Sequence, residues 1–134
     1  MANYDHLPVY KAAYDLLQCI YREMGHVPRD VKFTLVETLK NELMEMIVLI
    51  YKANVTTDKC RHIEAARELT VSTKVRLRLL YDLHHISVRL YARMSEQAEN
   101  LSKQLAAWHG YATRKNGPES AGYSIQRGSA ECVR

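Results

Sequence analysis

The chain has 134 residues, a net charge of +4, 47% hydrophobic and 25% charged residues. That length fits one domain with ample apolar content for a core, and no apolar run approaches the ~20 residues needed to span a bilayer. Met1 to Leu7 lack a basic stretch followed by an apolar one, so no secretory leader is read and the expected compartment is the cytoplasm. The three cysteines, Cys19, Cys60 and Cys132, are odd in number and scattered, which excludes a disulfide framework. Cys19 and Cys60 fall within helical patterns and read as small buried hydrophobes.

The first helix is expected from Leu7-Pro8, with proline suited to a first turn. Val9, Ala13, Leu16, Ile20 and Met24 recur at helical spacing and form its core stripe. Gly25 is the expected C′ residue, and Pro28 closes a short loop. The second helix is expected from Asp30 as N-cap to about Ala53, with Leu35, Leu39, Leu43, Met46 and Ile50 inward. Phe33, Val36, Met44, Ile47, Val48 and Tyr51 widen its apolar arc past half the circumference. A surface helix needs only a stripe of ~100° or somewhat more, so this helix is expected to be central or covered on two sides.

The third helix is expected after Thr56-Thr57-Asp58 and to about Leu83, with Ile63, Ala66, Thr70, Thr73, Leu77 and Leu80 inward. Val71, Val75 and Leu79 point to nearly the opposite side. This second apolar face is the expected oligomer interface. After His84-His85-Ile86, Ser87 is the expected N-cap of a fourth helix, whose face carries Leu90, Met94, Gln97, Leu101, Leu105 and Trp108. The expected division is a short N-terminal extension at 1–6, an all-α antiparallel four-helix bundle at 7–112, and a disordered basic tail at 113–134.

Charge is uneven along the chain. Between Thr70 and Arg93 there are five basic residues, Lys74, Arg76, Arg78, Arg89 and Arg93, against one acid, Asp82. Arg67, Lys74 and Arg78 fall near one line on the third helix, beside its second apolar face. Such a strip can meet successive phosphates. With Arg114 and Lys115 at the start of the tail, these eight residues are the candidate contacts to nucleic acid or a protein partner. The competing reading is a solvated face held by i, i+4 pairs, because Asp82 follows Arg78 by four. Nine tyrosines stand against one phenylalanine, and Tyr10, Tyr14 and Tyr21 share one side of the first helix. Packing and subunit contact is the favoured role for them, stacking on bases the alternative.

Enzymatic constellations are weak. Cys60-Arg61-His62 offers two ligands only and no Glu-x-x-His occurs, so neither metal nor cofactor is expected. Arg78 precedes His84 by six positions, a spacing that resembles the Arg-x(4–6)-His motif of HEPN-type ribonucleases; Leu79 after the arginine departs from it. A non-enzymatic role is preferred, with metal-independent RNA cleavage as the alternative from another class.

Lys74 to Trp108 is the most distinctive stretch. Lys74, Arg78, Asp82-Leu83, Ile86-Ser87, Tyr91, Ser95-Glu96 and Trp108 form an ordered set, extended backwards by Tyr10, Lys11, Leu16-Leu17, Leu39 and Glu42. Over about residues 7–115 the chain resembles the four-helix-bundle family of the 23S rRNA intervening-sequence protein and the accessory variability determinant of diversity-generating retroelements. Ala106-Ala107 replace the paired glycines common before the tryptophan. The resemblance implies a homopentameric ring with a positively charged surface. It further implies a reverse transcriptase and its template RNA or cDNA as partners, and support of mutagenic cDNA synthesis without polymerase activity. Lys74 and Arg78 match basic positions of that family. A sibling role as an intervening-sequence protein is the nearest alternative.

Overall fold

The computed structural model describes residues 6–121, with side chains over 6–114. It is all-helical among the described residues, with four helices. Helix α1 is Pro8–Glu23. Helix α2 covers 29–55 in three joined pieces: a first turn Arg29–Val31, a π-helical segment Lys32–Val36 and a regular stretch Glu37–Val55. Helix α3 is Lys59–Asp82 and α4 is Val88–Ala121. Each helix packs against two neighbours, α1 on α2 and α4, α3 on α2 and α4. Cross-helix pairs fix the directions. Met46 meets Thr70 and Glu42 meets Arg76, while Tyr81 meets Tyr91, Lys74 meets Glu99 and Glu64 meets His109. Residue numbers rise along one helix as they fall along the next, so α2/α3 and α3/α4 are antiparallel.

The expected core stripes are observed except on the fourth helix, where Gln97 and Trp108 are half-buried and Ala98 is fully buried instead. Val9, Ala13, Leu16, Ile20 and Met24 of the first helix, Leu35, Leu39, Leu43, Met46 and Ile50 of the second, Ile63, Ala66, Thr70, Thr73, Leu77 and Leu80 of the third, and Leu90, Met94, Leu101 and Leu105 of the fourth are all buried. Burying each large apolar side chain contributes about 1.5–3 kcal/mol. Thr70 is tolerated inside because its hydroxyl donates to Ala66 O at 2.9 Å. Cys19 and Cys60 are buried thiols, as read from the sequence.

Helix ends differ more. Pro8 occupies the first position of α1, but Gly25 does not take the left-handed conformation expected of a C′ residue. That conformation is found at His84 instead, with φ 65°. His84 N–H donates to Tyr81 O and His85 N–H to Leu80 O, the paired bonds of a Schellman ending for α3. Pro28, not Asp30, precedes the first turn of α2, and Asp30 Oδ1 accepts from Val31 N at 2.9 Å. The last carbonyls of α2 are capped by a side chain from the next helix: Lys59 Nζ donates to Ala53 O, Asn54 O and Thr56 O at 2.8–3.4 Å. Ser87 Oγ accepts from Leu90 N at 3.0 Å, the expected N-cap of α4.

In the π-helical segment Thr34 Oγ1 donates to Asp30 O and Thr38 Oγ1 to Thr34 O, both at 2.8 Å. A hydroxyl on the i−4 carbonyl competes with the regular ladder bond and opens the turn. Within this segment Leu35 and Val36 are buried and Phe33 is exposed.

Helix α4 runs to Ala121, nine residues past its expected end at Ala112. Extending an existing helix carries no nucleation cost, so the loss of side-chain periodicity at Thr113 does not stop the backbone. The rest of the expected tail, 122–134, lies outside the described residues, as do residues 1–5 of the N-terminal extension. Among the described residues no helix is long and apolar enough to cross a membrane.

Candidate functional site

Helix α3 carries two of the expected features side by side. Val71, Val75 and Leu79 are exposed at 61, 63 and 43%. Each stands on the outward side of a helix whose inward side is the core stripe. Helix α2 presents a matching strip. Met44, Val48, Tyr51 and Val55 are exposed at spacings of four, three and four residues. The two strips lie on the outward sides of two helices that pack directly together. The second cover expected for α2 is therefore not supplied within the single chain: Ile47 is half-buried and Val36 fully buried, while Phe33, Met44, Val48 and Tyr51 face out.

The basic strip is more engaged than the sequence suggested. Lys74 Nζ lies 2.8 Å from Glu99, across the α3–α4 seam. Glu99 is held below the usual glutamate range by its hydrogen bond and attraction to that ammonium. Arg78 Nε donates to both oxygens of Asp82 at 2.9 and 3.1 Å, and that carboxylate pushes the guanidinium higher still. Arg76 Nε reaches Glu42 at 3.3 Å, and Arg93 reaches Glu23 of α1 at 3.2 Å. Arg67 is exposed in a shallow groove with Glu64, Glu68, Val71 and Ser102. Arg89 and Arg114 are exposed without an acid partner among the described residues. The side chain of Lys115 lies outside the described ones.

The pairs of Arg78 and Asp82 and of Lys74 and Glu99 are exposed, so each is worth little and can be exchanged for a phosphate. The Glu42 site differs. Its carboxylate is nearly buried between α2 and α3 and accepts from Ser72 Oγ at 2.5 Å and Arg76 Nε at 3.3 Å, with Thr73 Oγ1 at 3.5 Å. Arg76, its side chain a third exposed, thus also joins α3 to α2. Glu42 was legible only as a position of the resemblance.

His84 sits in the α3–α4 loop with an exposed side chain. Arg78, its partner in the ribonuclease reading, has Asp82 on its Nε. His109, by contrast, is buried in the α3–α4 seam with Nε2 3.0 Å from Glu64. Sequence reasoning passed over it, although its spacing of four from Leu105 places it on the inward stripe. Among the described residues, no three His, Cys, Asp or Glu side chains converge as metal ligands would.

Two aromatic–cation pairs were also missed. Arg29 lies over the Phe33 ring at 5.5 Å, and Lys40 over the Tyr21 ring at 4.2 Å. Tyr10 and Tyr14 stack at 5.7 Å along α1, and Tyr14 and Tyr21 are exposed. No protein-family model matches this chain, and no curated protein matches it either.

Proposed function

We propose that the protein is a non-catalytic, self-associating helical adaptor that binds a reverse transcriptase and its RNA or cDNA, as the accessory protein of a diversity-generating retroelement. The observation that carries this reading is the exposed apolar strip on each of α2 and α3, Met44, Val48, Tyr51 and Val55 on the one and Val71, Val75 and Leu79 on the other. A lone domain has no use for so extended an exposed apolar surface, and such patches mark protein contacts. A homopentameric ring is the assembly implied by the resemblance of Lys74 to Trp108, and burying the strips between copies would complete the second cover that α2 lacks. The exchangeable cations Lys74 and Arg78, with Arg67, supply charge for a polyanionic partner on the same helix as the α3 strip.

Native mass spectrometry and co-purification test the two halves separately. A five-copy assembly that falls to monomer in the Val71→Glu/Val75→Glu double variant, with helical circular dichroism retained, supports the assembly. A wild-type monomer at tens of micromolar removes it. Co-purification with a reverse transcriptase encoded beside this chain, weakened by Lys74→Glu/Arg78→Glu, supports the partner; no co-purification removes it.

A further inference from the structure

Among the described residues, four cations without an acid partner lie at one end of this bundle, while Lys52, Lys59, Arg67, Lys103 and Arg114 stand elsewhere. The α1–α2 loop and the α3–α4 loop lie together there, joined by His26 Nε2 on His85 O at 2.6 Å. The last turn of α1 brings Arg22, the first turn of α2 brings Arg29, and the first turn of α4 brings Arg89. All three are exposed and none has an acid partner among the described residues. Lys32 adds a fourth charge, its ammonium resting on Gly25 O at 3.2 Å. Two carboxylates of the same end are ion-paired, Glu23 with Arg93 and Asp82 with Arg78, while Asp30 accepts only the neutral Val31 N–H and sets one negative charge against the four cations. An uncompensated positive potential is left on three helices around the paired loops.

The same end presents the chain's only phenylalanine, 59% exposed, with the Arg29 guanidinium over its ring. Phe33 stands within the π-helical segment, and such turns concentrate at functional positions. Cations that track phosphates beside an open aromatic face are the requirements for holding unpaired bases. A duplex offers no free base face to Phe33. A bilayer surface calls for a continuous apolar helix face, whereas here the cations come from three separate helices.

We infer that the loop end of the bundle, with Arg22, Arg29, Lys32 and Arg89 as its cations and Phe33 under Arg29 as its aromatic face, is a contact surface for single-stranded nucleic acid. This rests on the nucleic-acid part of the proposed function and places the contact away from the α3 strip.

The test is fluorescence anisotropy of the full chain with a labelled 20-nucleotide single strand of mixed sequence, over a salt series. Arg22→Glu/Arg89→Glu is expected to weaken binding at least tenfold at low salt. It should also flatten the log-affinity against log-salt slope by about 1.4, at ~0.7 per lost phosphate contact. Phe33→Leu is expected to weaken binding roughly 5- to 150-fold with the slope unchanged, as for one lost base stack, and Phe33→Tyr to restore it. Circular dichroism melts confirm that the exposed-site variants remain folded. If wild type binds but only Lys74→Glu/Arg78→Glu weakens it, the loop-end site is overturned while the proposed function stands. If wild type binds no single strand at all, the nucleic-acid reading itself falls. Equal binding to a duplex of the same length, or loop-end variants that lose anionic phosphatidylglycerol vesicles and not the strand, would overturn the assignment too.

Discussion

Glu42 is the most consequential polar side chain inside the bundle. Its side chain is 12% exposed and joins α2 to α3 through Ser72 and Arg76. A net hydrogen bond to a charged group contributes about 1.5–3 kcal/mol. The Ser72 bond is of that kind. The pair with Arg76 is discounted to below about 1 kcal/mol, because that guanidinium is a third exposed and stays hydrated in part. Desolvation of the carboxylate opposes both gains, so about 2 kcal/mol is the working figure for Glu42→Ala. For a domain of this size that is a fall of roughly 8 °C in Tm. Glu42→Gln keeps the shape and an acceptor and should lose about half as much. Urea denaturation followed at 222 nm, at fixed protein concentration because assembly shifts apparent stability, measures both. A double-mutant cycle should give coupling above about 1 kcal/mol for Glu42 with Ser72 and less for Glu42 with Arg76. Equal effects of the Ala and Gln variants, or coupling larger to Arg76 than to Ser72, would refute the reasoning.

Three further outcomes are expected. His84→Gly should raise stability by about 0.5–1 kcal/mol, since glycine takes the left-handed C′ position without a Cβ clash; a fall in Tm would show that the histidine side chain itself holds the loop. Lys59→Met should cost about 1–2 kcal/mol by stripping three carbonyls at the end of α2 of their donor, and faster amide exchange near Ala53 is the local readout. The depressed carboxyl of Glu99 makes its pairing with Lys74 a contribution that is present above the ordinary value of 4.5 and lost as pH falls through the lower folded-state value. In a carboxyl-carbon NMR titration Lys74→Met should move the Glu99 midpoint upward, and an unmoved midpoint would assign the depression to another group.

The fold was legible because it is written in periodicity. The inward stripes of four helices could be read from spacing alone, and so could the outward Val71, Val75 and Leu79, since a helix converts sequence distance into angle without knowledge of its neighbours. What spacing cannot encode is which charge meets which across a seam. The strip from Lys74 to Arg93 read as a continuous positive face; its acids arrive from α1, α2 and α4 as Glu23, Glu42 and Glu99. Only Arg78 with Asp82, a local pair, could be anticipated. Helix ends failed for a related reason. Gly25 has the residue type for a C′ position, whereas His84 has the geometry, and the choice between them is made by how the loops pack. Phe33 was counted with the apolar arc of α2, and like Met44, Val48 and Tyr51 of that arc it is exposed.

That turn has a consequence for how the chain tolerates changes of length. A π-helical turn stores one residue more than the α-helix around it, while the flanking segments keep their faces. A single deletion within 32–36 should therefore relax to plain α-helix and leave Val27 on one side, and Leu39 and Leu43 on the other, still pointing inward. The same deletion between Leu39 and Ile50 would rotate every core position on one side of it by about 100°. Helix α2 thus has one short window in which a single deletion is structurally neutral, and that window carries Phe33, so the exposed aromatic can be lost without disturbing the core behind it.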